Sequence, residues 1–194
     1  MFEPSLPLSH FGLDTFMFYK TETLAVFIDG LHFNALRKSL DLNVDYRKLR
    51  EFFLHQGRLS KLQYYALVED DVDSAIVPIL DWMTYNGFQV YRGDARSCET
   101  DDGRKIFKGS YAIKFATDII EASQSFDHIV MVAGDGEFAH PIAAAQRNGC
   151  RVTVLSTLHG PKQITADALR RSADNFLDIL DIADEIRRDP TSQV

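Results

Sequence analysis

Ile129-Val130-Met131-Val132-Ala133-Gly134-Asp135-Gly136-Glu137-Phe138 is an apolar, β-branched run that stops at a glycine-flanked acid. A short run of this kind reads as a strand buried on both faces, and the two glycines permit a tight turn. Glu137 to Asn148 reads as the helix that follows, closed by Gly149. Asp135 then stands just past the carboxyl end of a buried strand, and Glu137 opens the helix. Leu24-Ala25-Val26-Phe27-Ile28 followed by Asp29-Gly30 repeats the arrangement. Ligands of open α/β sheets bind at that edge, so two strands that each end in a carboxylate mark it as the place to look for chemistry.

Outward from these two strands, the pattern alternates. Residues 31–40 and 44–55 read as helices, the second ended by Gly57, and residues 62–68 as a strand. Asp71 is placed to cap a helix that runs to Asn86 and stops at Gly87. Residues 88–91 form a short strand, and residues 92–107 are polar, with Asp102-Gly103 as a hairpin turn. A helix over 111–123, a strand over 151–155, a helix over 165–173 and a final strand over 176–180 complete the series. Strands alternating with helices imply an α/β fold with a mostly parallel sheet flanked by helices on both faces. The expected organisation is one domain over 23–185, a loosely ordered or docking N-terminal arm over 1–22 and a polar tail over 186–194. Phe11, Phe16, Phe18 and Tyr19 of the arm are suited to dock on the domain or on a second copy in a homodimer.

Composition narrows the class. The 194 residues can bury a sizeable core, and a net charge of −7 argues against a generally basic nucleic-acid coat. Cys98 and Cys150 have no CxxC spacing, so neither a disulfide framework nor a zinc site is suggested. A reduced, cytoplasmic setting is the default. No long apolar run or leader pattern appears, so no membrane association is expected.

Asp29, Asp135 and Glu137 converge at one rim if their strands are neighbours, with Asp118 on the helix over 111–123. Gathered carboxylates repel unless they share protons or hold a cation, and a hard ion such as Mg²⁺ or Mn²⁺ prefers their oxygens. Such an ion can activate water against a phosphodiester. The plainer alternative is that an Asp after a strand only caps a turn or helix. His32 can either ligate a transition metal or hydrogen-bond across the pocket, and the second is preferred. Arg92, Arg96, Arg104, Lys105 and Lys108 cluster loosely, opposed by Asp94, Glu99, Asp101 and Asp102. A hairpin could set the cations on one face toward phosphates.

Phe27-Ile28-Asp29-Gly30, Tyr85-Asn86-Gly87, Gly103-Arg104-Lys105 with Lys108-Gly109, Gly134-Asp135-Gly136-Glu137-Phe138, and Ala166-Asp167-Ala168-Leu169-Arg170-Arg171 occur in one order. Together they resemble the NYN domain, and more narrowly its bacterial LabA-like branch, within the PIN-like nuclease superfamily. The resemblance implies a PIN-like, Rossmann-like sheet and cleavage of RNA, single-stranded by expectation. It implies an acidic pocket for Mg²⁺ or Mn²⁺, with Asp29, Asp135 and Glu137 as ligands and Asp118 as a further catalytic acid. Lys108, Arg104, Lys105 and His32 are the candidate RNA contacts.

Three departures stand at the pocket. His32 replaces the Asn of the family's IDGxN phrase. Ala112 replaces the Asp of its KGxxD phrase, and Lys114 stands where the branch often carries an acid. Loss of one ligand weakens both ion affinity and charge stabilisation. The sequence therefore supports a metal-dependent ribonuclease, with a catalytically impaired RNA-binding or protein-interaction module as the alternative. A phosphate-binding α/β protein ranks last, because Asp135 and Glu137 oppose an anion at the Gly134-Asp135-Gly136 turn.

Overall fold

The computed structural model describes residues 17–69, 76–99 and 105–189. Its elements are β1 (Thr23–Asp29), α1 (Gly30–Ser39), α2 (Tyr46–Gln56), β2 (Arg58–Glu69), α3 (Val77–Tyr85), β3 (Gln89–Glu99), β4 (Lys105–Lys108) and α4 (Ala112–Ala122). They continue with β5 (His128–Val132), α5 (Ala139–Arg147), β6 (Arg151–Ser156), α6 (Asp167–Ser172), β7 (Asn175–Asp178) and α7 (Ala183–Ile186). The strands lie in the order β4-β3-β2-β1-β5-β6-β7. Six are parallel, and β4 alone runs antiparallel, on β3 at the edge.

β1 leads left to β2 and β3, while β5 leads right to β6 and β7, so the chain reverses direction across the sheet between β1 and β5. Ile28 pairs with Val132, and the two strands leave the sheet side by side. Both are buried on both faces, as their unbroken apolar runs require. One face of the sheet packs Leu24, Val26 and Ile28 under α1, α2, α3 and α7; the other packs Ala25 and Phe27 under α4, α5 and α6.

Expected and observed boundaries differ where small or polar residues hide a strand. β3 runs on through Arg92-Gly93-Asp94-Ala95, which pairs with β2 as far as Glu69. Arg92 and Asp94 face solvent while Gly93 and Ala95 are buried, so the alternation is intact but its inward positions carry almost no side chain. Leu67 Cδ2 lies 3.1 Å from where a Cβ of Gly93 would stand, which explains why nothing larger is there. β2 begins at Arg58, and a bulge opposite Leu24/Ala25 accommodates its extra length. The Asp102-Gly103 turn and the Asp71 cap lie outside the described residues.

The amino ends of β1, β5 and β6 are tied by two groups of polar side chains. Thr23 donates to Asp127 Oδ2 through both N (2.8 Å) and Oγ1 (2.6 Å). Glu22 binds Arg151 at 2.7 Å and His128 Nδ1 at 3.2 Å, and His128 Nε2 meets Thr153 Oγ1 at 2.8 Å. Phe18 of the arm stacks on His128, and Arg151 lies over Tyr19; Phe11 and Phe16 lie outside the described residues. Beyond β7, Ile179, Ile182, Ala183 and Ile186 are buried, and α7 packs on α2.

Candidate functional site at the carboxyl rim

Gly30 and Gly134 set the rim. A Cβ on Gly30 would lie 2.3 Å from Tyr65 O, and one on Gly134 would lie 2.2 Å from Ile164 O and 2.3 Å from His32 Cε1. Real side chains do not fit at such distances, so the glycines let α1 start flush against β2 and let the β5 exit pass between His32 and the loop before α6. Ala166 N donates to Gly134 O at 2.9 Å, which fastens that loop to the β5 end. A cavity of about 310 Å³ opens there, lined by Gly134, Asp135, Gly136, Gln163, Ile164 and Thr165.

Asp29 caps α1: its Oδ1 accepts from Leu31 N (3.0 Å) and His32 N (3.1 Å). The same oxygen accepts from the Tyr111 hydroxyl at 2.6 Å, and the phenol oxygen in turn accepts from Leu31 N. Burial, reinforced by the Asp29 charge, pushes the Tyr111 hydroxyl up and keeps it protonated. Asp135 caps the turn Gly136–Phe138 through Oδ1, which accepts from Glu137 N at 3.0 Å. Both acids thus serve as caps, and no donor among the described residues reaches their Oδ2 atoms. Asp135 and Glu137 are exposed, and Asp29 is half-buried.

Asp118 sits elsewhere. It is 6% exposed and shares the inward stripe of α4 with Phe115, Ile119 and Ala122. Its Oδ2 accepts from Tyr65 (2.6 Å) and Gln63 (3.4 Å) on β2, and Lys114 donates to its Oδ1. The carboxylate is buried, paired and oriented into the sheet. Ala112, by contrast, is exposed at the first position of α4, its N–H held by Ser110 Oγ at 3.2 Å.

His32 takes the hydrogen-bonding alternative. Thr165 Oγ1 donates to Thr157 O (2.7 Å), so Ser156 must donate to Thr165 (2.6 Å) and accept from His32 Nε2–H (2.8 Å). This chain sets the tautomer, and burial lowers the imidazole's pKa against the opposing pull of Asp29. His32 is therefore a neutral ring beside the rim. Tyr111, Ser156 and Thr165 escaped the sequence reading; the only hint was that a buried Tyr hydroxyl or a polar residue ending a buried strand must find a partner. Arg104 lies outside the described residues, and Lys105 and Lys108 lie on β4. Arg171 pairs with Asp167 at 3.6 Å on its own helix.

Among the described residues, which include His32 and all four predicted acids, no three His, Cys, Asp or Glu side chains lie close enough to hold a metal ion. Asp29 Oδ1 already accepts three donors, Asp118 is neutralised by Lys114, and position 112 offers no oxygen. These residues do not fit a resident multi-carboxylate ion.

The chain is a doubly wound α/β domain with an acidic rim at the β1/β5 switch point, an architecture compatible with the PIN-like folds. The NYN domain family model matches residues 23–181, and the chain belongs to that family. It is similar to the low amplitude and bright protein LabA of Synechococcus elongatus, 23% identical over 176 residues, spanning 89% of this chain and 91% of LabA. That likeness agrees with the LabA-like branch. A solved Vibrio parahaemolyticus protein of unknown function has the same fold, with a TM-score of 0.66 at 23% identity, over 87% of this chain and 97% of that one. No helix of the described residues is long and apolar enough to cross a membrane.

Proposed function

We propose that this chain is an RNA-binding NYN protein whose capacity for hydrolysis is reduced or lost. The observation that carries this reading is the exposed Ala112 at the start of α4, beside a phenol that occupies Asp29 and a lysine that occupies Asp118. Where the family places charge to be neutralised by an ion, this chain uses its own Tyr111 and Lys114. The rim then serves recognition, with the NYN family as the reason to name RNA.

A second reading keeps the nuclease. Its support is the pair of unengaged Oδ2 atoms on Asp29 and Asp135, with Glu137 exposed beside them. Mg²⁺ keeps few protein ligands and often shares its shell with substrate phosphates, so Asp29, Asp135 and Glu137 would hold the ion only together with RNA.

One experiment separates the two. Single-stranded RNA is incubated with Mn²⁺ and wild type, Ala112→Asp or Asp29→Asn. The first reading expects RNA bound but uncut by wild type, and cleavage raised at least about tenfold by Ala112→Asp. Cleavage by wild type that disappears in Asp29→Asn overturns it in favour of the second.

A further inference from the structure

A second cavity, of about 400 Å³, lies between the N-terminal ends of α2 and α3. Its position follows from the connections. α2 passes through Gly57 into the amino end of β2, so Asp45, Tyr46 and Arg47 stand at the carboxyl end of the sheet. α3 follows the carboxyl end of β2, so Pro78 and Ile79 stand there too. The cavity therefore opens toward the same end as Asp29 and Asp135, but on the β2/β3 side and on the opposite face from α4.

Its lining is unusual for this acidic chain. Trp82 is half-buried, and the Arg47 guanidinium lies 5.7 Å from the centre of its ring. Arg188 comes from the segment after α7, whose backbone is fixed by Arg188 N donating to Asn43 O at 2.8 Å. No acid among the described residues pairs with either guanidinium. The acids nearby are already spent: Asp45 Oδ1 caps α2 through Arg47 N and Lys48 N, and Asp189 binds Lys48 at 2.9 Å. Ile79 is left 46% exposed at the mouth. The volume suits a small planar ligand, an indole with apolar neighbours offers a stacking surface, and two guanidinium groups without an acid partner among the described residues call for an anion.

We infer that this cavity holds one nucleotide of a single-stranded RNA, its base against Trp82 and its phosphate between Arg47 and Arg188. The inference rests on the RNA reading above and extends it to a contact surface away from the acidic rim. Stacking on an aromatic ring combined with arginine contacts to phosphate is the general solution for sequence-tolerant single-strand binding.

Trp82 is the only tryptophan in the chain, so its fluorescence reports on this cavity alone. The test titrates a short oligoadenylate labelled at one end and follows Trp82 emission and label anisotropy together, for wild type, Arg47→Ala and Arg188→Ala. Circular dichroism confirms that the variants fold. The expected result is saturable quenching that tracks anisotropy, with affinity falling about fivefold to tenfold in each variant and falling steeply with salt. A rise in anisotropy with Trp82 unmoved overturns this inference and leaves the RNA reading standing. No change in either signal overturns both. AMP quenching with the affinity of the oligomer overturns the strand assignment, and equal quenching by oligoglutamate overturns the nucleic-acid assignment of the cavity.

Discussion

The two ends of the β1–β5–β6 sheet use the same kinds of side chain to opposite effect. At the amino end, Glu22 engages both of its oxygens, one with Arg151 and one with His128, and the arm residue Phe18 stacks on His128. At the carboxyl end, Asp29 and Asp135 each spend one oxygen on a backbone cap and leave the other unengaged. A charged group whose valences are all filled by its own chain contributes to stability. One that keeps an oxygen unengaged at a cavity is available to a ligand through that oxygen.

The carboxyl rim is nevertheless rigid in its backbone, and the largest expected effect tests that. Gly134→Ala would drive a methyl into Ile164 O and His32, and should cost about 4 kcal/mol in a urea melt. A loss below about 1 kcal/mol would mean that the rim yields, and the contrast between a fixed frame and open carboxylates would fail.

At the other end, burial, with Arg151 adding to it, lowers the His128 pKa from 6.5 to about 4. Because the unfolded chain takes up a proton more readily, this stability is present above pH 6.5 and is lost as the pH falls toward 4. The full loss is up to about 3 kcal/mol. Melting temperatures of wild type and His128→Gln, compared from pH 7 to pH 4, isolate it; equal slopes would show that folding leaves the ring's pKa unchanged. Glu22→Ala, which strips Arg151 and His128 of their shared acceptor, should cost about 2 kcal/mol at neutral pH. Asp135→Asn keeps the cap and should change stability by less than about 0.5 kcal/mol. A large effect there would make Asp135 a structural residue like Glu22, and the distinction between the two ends would disappear.

β1 and β5 were legible because strands buried on both faces must be continuously apolar, and a carboxylate at the end of each stands out. β3 beyond Tyr91 was not, because its inward positions are the small residues Gly93 and Ala95, the first of them dictated by Leu67 and Tyr91 packed against it. The family resemblance names Asp118 as a catalytic acid, while its spacing from Phe115 and Ala122 puts it on the helix's apolar stripe. A carboxylate on such a stripe must bring its own partners, here Tyr65, Gln63 and Lys114. His32 bonds Ser156, which in turn bonds Thr165, but both lie more than a hundred residues from His32, and no local pattern links them.

The central place of β1 has a consequence for synthesis. Thr23 must meet Asp127, which lies 104 residues further on, and β1 cannot be covered on its β5 side before that segment leaves the ribosome. At about 5–20 residues per second, this leaves one edge of a strand that is apolar from Leu24 to Ile28 open for roughly 5–20 s. Only β2 and its helices can shield it meanwhile. The half-domain through α3 is thus the unit whose early collapse protects the nascent chain from aggregation.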